Sequence, residues 1–255
     1  MLIVIDPRAR QTDGEAVRIA RDVLCAGARD VQVCVLDRPQ ALPRILARRG
    51  GRRVVIVGDD GALLRAVRLL HAGGELGASP LAMVPVGPAA SVRVARALGV
   101  PTDDAVAASR AVLTGPVRTL DVLTDDAGGV VLGALGIPAA APPRAGAPRW
   151  WRPRQRQRLR VEADGKVLAD VDRPVEGVSV RPAGGLAEVV IRPGRERAGD
   201  VRARATTVTV SAGGRGYLYR ADAVNVGPTP ARTWTVSPGA LRLTVPAQGG
   251  PRPGS

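Results

Sequence analysis

Four short apolar runs, at residues 2–5, 31–36, 53–57 and 81–86, alternate with segments of helical period, and this alternation constrains the chain more than any other feature. Between the first two runs, Ala16, Ile19, Ala20, Val23 and Leu24 recur at helical spacing behind Thr12 or Asp13, either of which can cap a helix. Residues 41–49 predict the next helix. After the third run a helix passes through Leu63, Leu64, Val67 and Leu70, and after the fourth another passes through Val94, Ala95 and Leu98. Asp103-Asp104 stands at the start of a helix over 105–113. Strands that alternate with helices of this length build βαβ units around a mostly parallel sheet. Both faces of such a sheet are covered, which is why its strands are continuously apolar.

Past Ile137 the period changes. Residues 159–162, 166–171, 175–181, 187–191, 205–210, 217–220, 233–236 and 241–245 are short β-like runs, separated by turns such as Ala163-Asp164-Gly165 and Ala212-Gly213-Gly214. Asp125-Asp126 before Gly128-Gly129 predicts a hairpin turn. Short strands between Gly-rich turns build a sandwich or barrel. The expected fold class is therefore an α/β N-terminal domain with a mostly parallel sheet, followed by an all-β, sandwich-like C-terminal domain. The expected boundaries are 1–137 for the first domain, 138–158 for a linker and 159–247 for the second. Residues 248–255, rich in Gly and Pro, form a disordered tail.

Charge sharpens the division. The chain has 37 basic and 23 acidic residues, a net of +14, and every base except Lys166 is arginine. Residues 1–137 are nearly balanced, 17 basic against 14 acidic, whereas 138–255 carry 20 against 9. The linker opens on Pro138-Ala139-Ala140-Ala141-Pro142-Pro143. It then holds Arg144, Arg149, Arg152, Arg154, Arg156, Arg158 and Arg160 with no acid among them, around Trp150-Trp151. If extended, Arg154, Arg156, Arg158 and Arg160 point one way. A solvated charged linker is the plainest reading of such a run. Next comes an anionic membrane surface or lipid met by Arg149, Arg152, Arg154, Arg156, Arg158, Arg160, Trp150 and Trp151. Tryptophan favours the interface, and each arginine there adds on the order of 1 kcal/mol. Nucleic acid ranks last, for want of a recognisable module or of aromatics on an identified sheet face.

Cys25 and Cys34 are too few for a disulfide framework or a zinc site and are expected as small core residues. His71, the lone histidine, falls near the end of a helix. No apolar stretch approaches the roughly 20 residues of a membrane span. The first residues lack a basic leader, so a cytoplasmic chain is expected, peripheral on the inner membrane surface if the strip meets lipid.

The third strand runs through Val57-Gly58-Asp59-Asp60-Gly61 into a helix. A strand, a glycine turn and a helix start together present unpaired N–H groups and a positive dipole end to an anion. The turn is no Walker A loop, because no Gly-Lys-Ser/Thr follows, and no dinucleotide fingerprint, because the third glycine is missing. Pro85-Val86-Gly87 ends the next strand, and Ala95-Arg96-Ala97-Leu98-Gly99-Val100-Pro101 follows. Asp6-Pro7 closes the first strand, and Ala221-Asp222-Ala223-Val224 precedes Pro238-Gly239-Ala240-Leu241-Arg242.

In order and spacing, across both halves, these segments resemble the diacylglycerol kinase and sphingosine kinase superfamily. The resemblance implies a lipid kinase that uses ATP and magnesium. Position by position it assigns nucleotide binding to Gly58, Asp60, Gly61 and Gly87, the metal to Asp60, and catalysis to Asp60 and Asp222, with Asp222 near the lipid hydroxyl. Phosphoryl transfer is mostly positioning and charge stabilisation, so loop shape and metal ligands matter most. Several family positions differ here. Asp59 replaces the second Gly of Gly-Gly-Asp-Gly-Thr, and Ala62 the Thr. Leu64 and Arg65 replace the usual Asn and Glu, and Asp6 the Asn of Asn-Pro. Pro88-Ala89-Ala90-Ser91 replaces Thr-Gly-Asn-Asp, and Val224 the Glu of Asp-Gly-Glu. These replacements motivate the alternative: a catalytically inactive pseudokinase that binds nucleotide, lipid or a protein partner.

Overall fold

The computed structural model describes residues 1–139, 156–194, 199–214 and 216–247. The chain forms two compact units. One comprises Met1–Leu120 with the described residues from Gly239 on, and the other Asp121–Pro238. Arg144, Arg149, Trp150, Trp151, Arg152, Arg154 and the expected tail lie outside the described residues.

In the first unit, β1 (Leu2–Ile5), β2 (Gln32–Val35), β3 (Val54–Gly58) and β4 (Leu81–Pro85) form a parallel sheet in the order β2-β1-β3-β4. Every residue of β1, β3 and β4 is buried, as continuous apolar runs require. Helices α1 (Pro7–Thr12), α2 (Gly14–Gly27), α3 (Leu42–Ala47), α4 (Asp60–Ala72), α5 (Arg93–Ala97) and α6 (Ala105–Thr114) lie between and after the strands. Ile3, Ile5, Val55, Val57, Ala82 and Val84 pack against Val17, Ala20 and Leu24 of α2 and Ala108 and Val112 of α6. Four aspartates start the helices. The side chains of Asp6, Asp13, Asp59 and Asp104 accept N–H groups at the heads of α1, α2, α4 and α6, donors that a helix start leaves unpaired. Asp13, rather than Thr12, caps α2. Cys25 is exposed and Cys34 half-buried, so neither is the core residue expected of it. Late in the chain, Leu243 returns to pair in parallel with Leu81 of β4.

In the second unit, β7 (Leu135–Ile137), β10 (Val175–Ala183), β11 (Leu186–Pro193), β12 (Val201–Ala205), β14 (Tyr217–Ala221) and β15 (Val224–Thr229) make an antiparallel sheet in the order β12-β11-β10-β7-β14-β15. Position 137, where composition changes, is thus the end of an interior strand. A second layer contains β8 (Leu159–Ala163), β9 (Lys166–Ala169), β13 (Thr207–Ala212) and the N-terminal part of β16 (Ala231–Thr244). It is joined by the end of β5 (Val117–Asp125) and by β6 (Val130–Val131). One core fills the space between the layers. Val178, Val180, Val189, Ile191 and Tyr219 come from the first, and Val161, Val208, Val210 and Trp234 from the second. Tyr219 meets Trp234 edge to face, ring centroids 5.3 Å apart.

Two expectations need correction. Residues 205–210 are not one strand: β12 ends at Ala205 in one layer and β13 begins at Thr207 in the other. The carboxylate of Asp164 holds this corner, accepting the Thr206 N–H and hydroxyl and the Thr207 N–H. Conversely, 233–236 and 241–245 are not two strands. Pro238-Gly239 has turn composition, but Gly239, at φ 59°, is a kink within a single 14-residue strand.

Candidate functional site

The strand order β2-β1-β3-β4 places β2 and β3 on opposite sides of β1. The carboxyl ends of β1 and β3 therefore flank a topological switch point, where open α/β sheets take their ligands. Asp6 follows β1 there, and Gly58 ends β3. A Cβ on Gly58 would lie 3.0 Å from the Cβ of both Asp6 and Ala62, so only glycine lets the two strands' ends and α4 close together. Past β4, Gly87 has φ 146°, and a Cβ there would sit 2.6 Å from Ser91 Oγ and 3.8 Å from Asp59 Cβ. A Cβ on Gly61 would be 3.2 Å from Asp59 Oδ1. The structure thus gathers the expected Gly58, Gly61 and Gly87 around Asp59.

Asp59 occupies the anion end of α4 itself, because its Oδ1 accepts the Ala62 N–H at 2.9 Å. Asp6 is buried. Its Oδ1 accepts the Arg8 N–H at 2.9 Å, and its Oδ2 pairs with the Arg65 guanidinium. Two separate departures from the family pattern, Asp6 for Asn and Arg65 for Glu, are therefore partners. Nothing in their spacing announces the pair. In the sequence Asp6-Pro7 reads only as the close of the first strand, and the helix Pro7–Thr12 that it starts is not expected there.

Asp60, the residue assigned most roles, is 1% exposed and faces α5. Its Oδ2 accepts the Val94 N–H at 2.8 Å and its Oδ1 the Ala95 N–H at 2.9 Å. Helix α5 has no side-chain cap of its own, and Asp60 serves in place of one from another helix. Burial pushes the Asp60 carboxyl upward from its ordinary value. The amides of Val94 and Ala95 pull against that, and the neighbouring Asp59 adds to it. With both oxygens on backbone amides, Asp60 is a poor ligand for magnesium. Among the described residues no three His, Cys, Asp or Glu side chains come together to hold a metal.

Asp222 belongs to the second unit. It takes φ 50° in the two-residue turn between β14 and β15. Its Oδ2 accepts the Leu132 N–H at 2.8 Å, and its Oδ1 accepts those of Gly133 at 2.8 Å and Ala134 at 3.1 Å. Its own N–H donates to Ala134 O, completing a clamp between turn and loop. Val224 begins β15 beside it.

The end of the basic strip that the structure describes is partly neutralised. Arg156 and Arg158 are exposed on either side of Gln157, and Leu159 is buried. Arg160, however, reaches Glu162 at 2.6 Å and Asp170 at 3.1 Å. Glu162 stands two residues on in the same strand and Asp170 is brought up by the pairing with β9, so both lie beyond the segment that was counted. Among the described residues, no helix is long and apolar enough to cross a membrane.

Comparison with known proteins places these features. Residues 1–124 match the family model of the diacylglycerol kinase catalytic domain. No curated protein matches the sequence. Among solved structures, a candidate diacylglycerol kinase from Bacillus anthracis str. Sterne superposes with a TM-score of 0.75 at 14% identity, over 96% of each chain. A diacylglycerol kinase from the same organism gives 0.71 at 14% identity, again over 96% of each. At such identity the likeness is one of fold, and it extends through both the α/β and the all-β parts.

Proposed function

We propose that this chain, whose residues 1–124 match the family model of the diacylglycerol kinase catalytic domain, belongs with those lipid kinases, keeps their scaffold for binding and has given up phosphoryl transfer. One observation carries the proposal: the two carboxylates at the motif positions, Asp60 and Asp222, are both committed to backbone amides. Transfer to a hydroxyl needs a held metal and a positioned proton acceptor. Both oxygens of each carboxylate already accept backbone N–H groups, which compete with those tasks, and Val224 has no proton-accepting atom. At the glycine turn, Asp59 sets a negative charge at the head of α4 and takes the Ala62 N–H, a donor that would otherwise be open to phosphate.

The test is phosphate transfer from labelled ATP, with magnesium, to diacylglycerol in mixed micelles. The full chain is expected to label no lipid above a protein-free blank; steady labelling overturns the proposal. A thermal-shift titration with ATP run beside it separates two inactive forms. A shift without turnover identifies a nucleotide-binding pseudokinase, and no shift a scaffold that meets lipid or protein alone. The active-kinase reading draws on the gathered Gly58, Gly61 and Gly87, and lipid labelling is the result that would favour it.

A further inference from the structure

The sheet β12-β11-β10-β7-β14-β15 buries one face in the sandwich core, through residues such as Val180, Val189, Ile191 and Tyr219. Register fixes what stands on the other face. One cross-strand row reads Arg202, Val190, Ser179, Gly136, Arg220, and the next reads Arg204, Glu188, Arg181. Arg192 stands opposite Gly177 on the same side. Five arginines thus share a face on which these paired positions contribute one acid, Glu188. The middle strands carry only Gly177, Ser179 and Gly136 between the charged margins, so the surface is low at its centre. A depression of about 530 Å³ lies at the β12 margin, lined by Arg181, Glu188, Arg202 and Arg204 among others.

Among the described residues, carboxylates neutralise only part of this charge. Arg181 pairs with Glu188 through Nε at 2.8 Å, whereas Arg202 has Asp200 only at 3.8 Å. Arg204 donates to the Ala183 carbonyl at 2.9 Å, and Arg220 to the Asp222 carbonyl at 3.0 Å, contacts that orient the guanidinium without cancelling its charge. Leu218, two residues before Arg220 and on the same side, is 51% exposed.

We propose that this face docks onto an anionic lipid surface. Permanently charged guanidinium groups spread over a broad sheet suit many phosphate headgroups presented in a plane, which they engage bidentately. Leu218 supplies an apolar side chain for the headgroup boundary. Single-stranded nucleic acid fits less well, because it uses aromatic platforms for its bases. In this unit Tyr217, Tyr219 and Trp234 all belong to the core. The surface belongs to the second unit and the glycine turn to the first, and the docking does not depend on whether phosphate is transferred.

The experiment is sedimentation of the full chain with vesicles of mixed phosphatidylglycerol and phosphatidylcholine, against pure phosphatidylcholine, at low and high salt. The expected result is binding only to the anionic vesicles, weakened by salt. Each arginine near the surface is worth roughly a fivefold change in partitioning. R202E/R204E is therefore expected to lower binding more than tenfold, while R202K/R204K, which keeps the charge and controls for folding, stays within about threefold of the parent. R152E/R154E in the linker is expected to lose less than R202E/R204E. Equal binding to neutral vesicles, indifference to R202E/R204E, or a larger loss from the linker variant would each overturn the proposal. So would capture of a single-stranded oligonucleotide in place of vesicles.

Discussion

Asp60 and Asp222 carry out one task in two unlike settings. In the α/β unit, Asp60 lies fully buried at the head of α4 and holds the start of a neighbouring helix. In the all-β unit, Asp222 sits in a left-handed hairpin turn and holds a loop of three consecutive amides. Burial disfavours the charged form of the first and shifts its carboxyl upward. The second grips amides that are only partly buried. What the two share is that an acid at a position the resemblance assigned to catalysis accepts backbone N–H groups and braces the chain. The difference lies in what each brace is worth, and that can be measured.

Asp60→Ala strands two buried amides, those of Val94 and Ala95. At about 1–3 kcal/mol for each unsatisfied group, it should cost about 3 kcal/mol of stability in urea unfolding. Hydrogen exchange should quicken over α4 and α5 and leave the second unit unchanged. Asp60→Asn, with one accepting oxygen, should lose about half as much. If the alanine variant is as stable as the parent but loses an ATP-induced shift, Asp60 faces ligand and the brace interpretation fails. The counterpart is Asp222→Asn. Asparagine tolerates φ near 50°, so the exchange removes hydrogen bonds without adding backbone strain. A loss of about 1–2 kcal/mol, with faster exchange at 132–134, is expected. A cost larger than that of Asp60→Ala would reverse the ranking of the two braces.

A smaller effect attaches to Asp6 and Arg65. Arg65→Met leaves the nearly inaccessible Asp6 carboxylate without its counter-charge, while the guanidinium is itself 30% exposed and partly screened by solvent. About 1–2 kcal/mol should be lost. Asp6→Asn combined with Arg65→Met should lose clearly less than the two single changes added together. Additive losses would mean that Asp6 and Arg65 are not energetically coupled despite their contact.

Much of the α/β unit was legible because its signals are local: unbroken apolar runs, aspartates ahead of helical periods, and glycines after strands. The roles at the turn were not legible, because each depends on a partner far along the chain. Asp60 meets Val94 and Ala95, Asp6 meets Arg65, and Asp222 meets residues 132–134. Motif position gives the residue but not the direction of its oxygens. In the all-β unit the strands were partly legible and their layers were not, since the change of sheet at Thr206 is made by Asp164 from another turn. The arginine face had a faint signal in the alternation Val201-Arg202-Ala203-Arg204-Ala205. Only the pairing with β11 and β10 aligned it with Arg192 and Arg181.

Acid should separate the two units in opposite senses. The Asp60 carboxyl is raised above its ordinary 3.8, chiefly by burial, so the fold favours its protonated form. Its contribution is present below 3.8 and lost as pH rises through the raised value. Asp164 is lowered from 3.8, chiefly by its bond from the Thr206 hydroxyl and then by the Thr206 and Thr207 amides. Its contribution is present above 3.8 and lost as pH falls through the lowered value. Glu15, lowered by Arg18 on an exposed face of α2, runs against Asp60 in the same unit but is screened by solvent. Hydrogen exchange, corrected for intrinsic rate and followed down through the carboxylate range, should show α4 and α5 gaining protection first. The β12–β13 corner should then lose it below 3.8. Asp60→Asn should abolish the gain and Asp164→Asn the loss, each without touching the other. A single acid response shared by both units would show that the two carboxylates do not report on separate braces, and the contrast between the units would collapse.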